Sequence, residues 1–172
     1  MSKILTLSLI LITLLFGSFQ VLAQSEIYLF RHAEKQKDGT KDPALTEQGH
    51  QRAKWLSHWF TNKKVTAIYS SDYQRTRQTV AIIARATGLK VQLYNPEKLE
   101  ELVKLINQKD GFYVVAGHSN TIPDTVQLLG GEPGKKIDDE EYDRLYQLTI
   151  KDGKIVTKRH KSSHHFKLNK KP

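Results

Sequence analysis

The chain has 172 residues, no cysteine and a formal net charge of +9, from 27 Lys and Arg against 18 Asp and Glu. That length supports one domain with its own core, and a hydrophobic fraction of 38% with a mean hydropathy of −0.51 excludes a polytopic membrane protein. The missing cysteines exclude disulfides, thiolate metal sites and a cysteine nucleophile.

In chain order, Met1-Ser2-Lys3 is a short positive start, Ile4 to Phe16 is an apolar run of 13 residues, and Val21-Leu22-Ala23 ends on a small residue. This is the layout of a secretory signal cleaved after Ala23. A spanning helix needs about 20 apolar residues, so a retained anchor is the weaker reading. Residues 1–23 are thus expected to be a signal peptide, and the remaining 149 residues a periplasmic or secreted protein.

Residues 26–30 are a short apolar run with aromatic and branched side chains and read as a strand. Thr46 is placed to cap a helix whose Leu56, Trp59 and Phe60 share one face. Residues 65–69 form a second strand; Ser71 or Asp72 caps a second helix that Gly88 stops. A third strand covers residues 90–94, and Pro96 opens a helix with a Leu99, Leu102, Val103 and Ile106 stripe. Residues 111–116 are apolar throughout and read as a central strand. A helix over residues 123–129 ends at Gly130-Gly131, residues 132–141 form a polar loop, and Asp152-Gly153 turns a hairpin between residues 144–150 and 154–158.

Charge is uneven along this order. Residues 24–150 carry 18 basic and 17 acidic side chains, whereas residues 151–172 carry eight basic and one acidic. The body is nearly neutral, which removes nucleic acid from the leading partners. We divide the chain into a body over residues 24–160 and a basic tail over residues 161–172, with anionic-surface contact expected through that tail.

Alternating strands and helices up to residue 131 predict an α/β fold: a three-layer sandwich with a largely parallel central sheet, helices on both faces and a C-terminal edge hairpin. Ligands of such sheets bind beyond the carboxyl ends of the strands. Three of those ends carry chemistry: Arg31-His32-Ala33-Glu34-Lys35, Ser70 to Thr79 with Arg75 and Arg77, and Gly117-His118-Ser119-Asn120. Arginine forks suit phosphate oxygens, helix N-termini add N–H donors, and a neutral imidazole can accept a phosphoryl group. Singly, each is more often structural; together, from independent loops, they point to a site. Arg77 reads as solvent-facing, Asn120 as a helix cap, Glu97, Glu100 and Glu101 as helix-opening acids, and Trp55 and Trp59 as core or groove residues.

Arg31-His32, Ser70-x-x-x-x-Arg75-Thr-x-Gln-Thr79 and Gly117-His118-Ser119, in that order, resemble the histidine phosphatase superfamily over residues 26 to about 150. The resemblance implies His32 as the nucleophile of a phosphohistidine intermediate and Arg31, Arg75 and His118 as the phosphate pocket, without cofactor or metal. Ala33 stands where the family's commonest motif has Gly. For the general acid, Glu34 is favoured over Asp124, Glu97, Glu100 and Glu101. The expected substrate is a phosphorylated small molecule or envelope component. Two rivals stand beside this reading: an anion-binding protein without turnover, and a metal-dependent hydrolase using His32, Glu34 and His118.

Overall fold

The computed structural model describes residues 24–163; the expected signal peptide and the histidines at 164 and 165 lie outside the described residues. The elements are β1 (Gln24–Arg31), α1 (Glu47–Phe60), β2 (Ala67–Ser71), α2 (Gln74–Thr87), β3 (Val91–Tyr94), α3 (Leu99–Ile106), β4 (Phe112–Gly117), α4 (Thr121–Leu128), β5 (Arg144–Lys151) and β6 (Lys154–Lys161). One sheet runs in the order β3-β2-β4-β1-β5-β6. The fold is α/β, but the sheet is mixed rather than largely parallel. β3, β2, β4 and β1 pair parallel, whereas β5 runs antiparallel to β1 and β6 to β5. The tight turn accounts for the last pair: parallel neighbours need a crossover, while Asp152 (φ 51°) and Gly153 (φ 70°) reverse the chain between β5 and β6 in two residues.

β4 is central, and apolar on both sides for that reason. Alternation along β1 sends Ile27 and Leu29 into a cluster with Leu102, Ile106, Ile122 and Val126, and Tyr28 and Phe30 into a second with Leu56, Phe60, Val80 and Ile83. Burying a side chain of this kind stabilises by about 1.5–3 kcal/mol, so the two clusters hold the strand ends in fixed register.

Three boundaries differ from the local signals. α2 is not capped by Ser71 or Asp72: the Gln74 N–H donates to the Asp42 carboxylate, at 2.8 Å to Oδ1. Pro96 lies in a turn instead of opening α3, because Asn95 accepts from Glu97 N–H through its side chain and from Lys98 N–H through its carbonyl. β6 continues to Lys161; His160 packs 5.2 Å from Trp59 and bonds Gln147, and Arg52 donates to the Ser162 carbonyl at 2.9 Å.

Candidate active site

Parallel register brings the carboxyl ends of β1 and β4 side by side: Arg31 pairs with Gly117, and the His32 N–H donates to the Gly117 carbonyl at 2.9 Å. His32 and His118 therefore meet, ring centroids 5.5 Å apart. β2 lies on the other side of β4 and delivers Ser71, whose hydroxyl sits 2.8 Å from His118 Nε2. Gly117 keeps this junction tight, since a Cβ there would stand 2.6 Å from the Tyr94 hydroxyl.

His32 is 3% exposed. Its Nδ1 lies 2.8 Å from the Ala33 carbonyl, an acceptor only, so the proton resides on Nδ1 and the lone pair on Nε2. Burial lowers its pKa to about 3 against the pull of that carbonyl, helped by Arg31, Arg75 and His118. Burial likewise lowers His118 to about 4, with Arg75 and Arg31 adding to it. Both rings are neutral at pH 7.

Arg31 is held from behind. Its Nη1 donates to the carbonyls of Asp138 (2.9 Å), Asp139 (2.7 Å) and Glu141 (3.2 Å), and the guanidinium lies 4.2 Å from the Tyr142 ring centre. The polar loop before β5 thus serves as the clamp on this arginine. Arg75 stacks 4.4 Å over Tyr73 and reaches Asp42 at 3.5 Å. The Nε atoms of Arg31 and Arg75 are buried and meet no acceptor among the described residues. Two such donors beside two imidazoles form a receptor for an oxyanion.

These groups line a cleft of about 380 Å³ with Lys35, Tyr73, Glu97 and the Ser119–Thr121 turn at the start of α4. Asn120 precedes α4 without a side-chain capping bond. Thr79 ties the cleft floor to α2, accepting from the Ala33 N–H at 3.0 Å and donating to the Arg75 carbonyl at 2.8 Å. Arg77 turns away to Asp72.

Glu34 is the proposed site residue that the structure places elsewhere. Its carboxylate accepts from Arg52 at 2.6 Å, both side chains buried, and it faces a groove on the α1 side of Tyr142. The metal triad of His32, Glu34 and His118 is not assembled for the same reason; among the described residues no three His, Asp or Glu are grouped as a metal site requires. Asp124 lies in a neighbouring groove, and the carboxylate lining the cleft is Glu97. Reasoning from sequence placed Lys35 and Tyr73 in strand-end loops without giving them a role, and did not place Tyr142 here. Tyr73 had a local signal, two residues before Arg75; Tyr142 had none.

Residues 27–103 match the family profile of the histidine phosphatase superfamily (branch 1). Among curated proteins, the chain is 38% identical over 74 residues to a probable phosphoglycerate mutase, GpmB, of Erwinia tasmaniensis, covering 40% of this chain and 34% of that one. It is 40% identical over 70 residues to the corresponding protein of Yersinia pestis, covering 37% and 33%. The match thus spans about a third of those relatives' length. Among solved structures, the protein histidine phosphatase SixA complexed with tungstate superposes with a TM-score of 0.64 at 16% identity, over 81% of this chain and 97% of that one. A phosphoglycerate mutase from Bacillus anthracis superposes with a TM-score of 0.62 at 14% identity, over 81% and 93%. At these identities the structural likeness is one of fold.

Proposed function

The chain belongs to the histidine phosphatase superfamily, and from that premise we propose that it hydrolyses a phosphomonoester through a phosphohistidine on His32. The observation that carries the reading is the Nδ1 contact of His32 with the Ala33 carbonyl, which leaves the Nε2 lone pair beside two arginines with free Nε donors.

Nε2 attacks phosphorus in line while Arg31, Arg75 and His118 hold the phosphoryl oxygens. Positive charge growing on the His32 ring is met by the Ala33 carbonyl at 2.8 Å. Glu97 donates the proton to the departing oxygen. Water then attacks phosphorus and gives its proton back to the Glu97 carboxylate, the P–N bond breaks, phosphate leaves and the neutral ring returns. The substrate is a phosphorylated small molecule or envelope component, and the signal-like run before Gln24 supports action in a periplasm or outside the cell.

The test is release of inorganic phosphate from an aryl phosphate by wild type and His32→Ala. Wild type should turn over and carry an acid-labile phosphoryl group; equal rates in the two proteins would sink the proposal. Phosphate binding without turnover would support the anion-binding rival, and transfer to a second substrate hydroxyl instead of water would mark a mutase.

A further inference from the structure

We propose that the end of the sheet opposite the cleft is a docking surface for an anionic lipid headgroup layer. Parallel strands share their amino ends, and the segments entering them carry Lys63 and Lys64 before β2, Lys90 before β3 and Lys109 before β4. The hairpin tip adds Lys151 and Lys154, because Lys151 stands in register with Gln24, the first residue of β1. All six lysines are exposed. β1 spans eight residues, so this end lies about 25 Å from the cleft.

The six lysines are not balanced locally. Among the described residues none of them makes an ion pair, whereas the loops at the cleft end carry acids beside their bases, with Lys37 on Glu140, Arg75 on Asp42 and Arg144 on Glu141. The acids at the lysine end are Asp110, Asp152 and Glu26; Asp110 accepts from Ser25 and Glu26 from Tyr28, and Glu132 stands further up the sheet beside Thr157. Helix dipoles account for Arg85 and Lys104 in the last turns of α2 and α3. They do not account for lysines in six positions outside the helices. A body with nearly equal numbers of acids and bases is therefore polarised along the strand axis.

Apolar exposure selects the partner. The large apolar side chains left exposed among the described residues are Leu93, Leu105, Leu128, Ile155 and Val156; Leu93 lies toward the cleft end and Leu128 shares a groove with Pro96 and Glu97, while Leu105, Ile155 and Val156 lie at the lysine end. Leu105 stands in the last turn of α3, and Ile155 and Val156 follow the hairpin tip. Lysines interleaved with leucine, isoleucine and valine suit the headgroup–acyl boundary; a soluble polyanion uses the charges and leaves the apolar groups without a role. Docked this way, the protein turns its cleft away from the lipid and toward solution.

The experiment uses residues 24–172, which contain every described strand and helix, with phosphatidylglycerol or phosphatidylcholine vesicles at low salt. Binding should require the anionic lipid and fade as salt rises past the point where the screening length drops below about 10 Å. Replacing Lys63, Lys64, Lys109, Lys151 and Lys154 with Gln should weaken it at least about a thousandfold with aryl phosphate turnover unaltered, and replacing Lys37, Lys41, Lys98, Lys135 and Lys136 should change vesicle binding less than about threefold. Leu105→Ser and Val156→Ser should weaken vesicle binding without changing binding of polyphosphate. The proposal is overturned if the first lysine set binds as wild type, if both sets fall equally, or if only removal of residues 164–172 abolishes binding. Serine variants that bind vesicles unchanged, together with full competition by polyphosphate, would assign the surface to a soluble polyanion instead.

Discussion

The Ser71 hydroxyl lies 2.8 Å from Nε2 of His118, and Nδ1 of that ring has no hydrogen-bond partner among the described residues. When the hydroxyl is the donor to Nε2, the ring proton sits on Nδ1. His118 is then a hydrogen-bond donor to a phosphoryl oxygen even while neutral. Ser71→Ala removes that selection. We expect kcat to fall about tenfold, as befits one lost hydrogen bond, with KM changing less and with partial recovery in Ser71→Cys. An unchanged kcat would leave Ser71 a packing residue.

Bound phosphate should bring a proton with it. Both histidines are neutral in the free protein, at about 3 and about 4. A phosphate dianion among Arg31, Arg75 and His118 favours the charged imidazole. Calorimetric titration with vanadate in buffers of different ionisation enthalpy should therefore show net proton uptake near pH 6, and affinity should weaken as pH rises. Absence of uptake would mean that His118 acts as a neutral donor throughout.

The same depressed values set the acid limit of the fold. Below the unfolded value of about 6.5 the unfolded chain binds more protons than the folded one. Stability is thus complete above pH 6.5 and is lost as pH falls toward 4 and 3. The slope approaches about 1.4 kcal/mol per pH unit for His32, which is 3% exposed. Thermal unfolding of wild type and His32→Asn across pH 7 to 4.5 measures it, with a flatter profile expected in the variant.

Glu34 and Arg52 form a buried ion pair at 2.6 Å, so they should report on stability and not on leaving-group protonation. Arg52→Met leaves a buried carboxylate without this partner and should cost about 3 kcal/mol in urea unfolding. Glu34→Gln should turn over substrates with good and poor leaving groups in the same ratio as wild type. Glu97→Gln should slow only those with poor leaving groups. A selective loss in Glu34→Gln would return the acid role to that residue.

Gly49 is where α1 crosses the backbone beyond His32. A Cβ there would stand 2.3 Å from the Glu34 carbonyl oxygen. Gly49→Ala should push that segment and loosen His32, lowering both the melting temperature and kcat. Gly88→Ala, with open space around it but φ near 70°, should lower stability alone.

What the sequence alone determined was local or periodic. Residues 26–30 and 111–116 announced strands because both faces of the sheet are buried, and Thr46 announced a helix because its hydroxyl accepts from Gly49 three residues on. Given parallel strands, the chemistry had to gather at their carboxyl ends, so Arg31, His32, Arg75 and His118 were legible together. The partners of those residues were not, because they come from distant chain. Asp42 caps α2 from 32 residues away, Arg52 captures Glu34, and the carbonyls of residues 138, 139 and 141 clamp Arg31 from more than a hundred residues away. Charge followed the same division. Composition located the excess in the last 22 residues, but only the sheet register carried six lysines from separate segments to one end, because parallel pairing aligns the starts of β1 to β4 and antiparallel pairing brings the β5–β6 turn beside them.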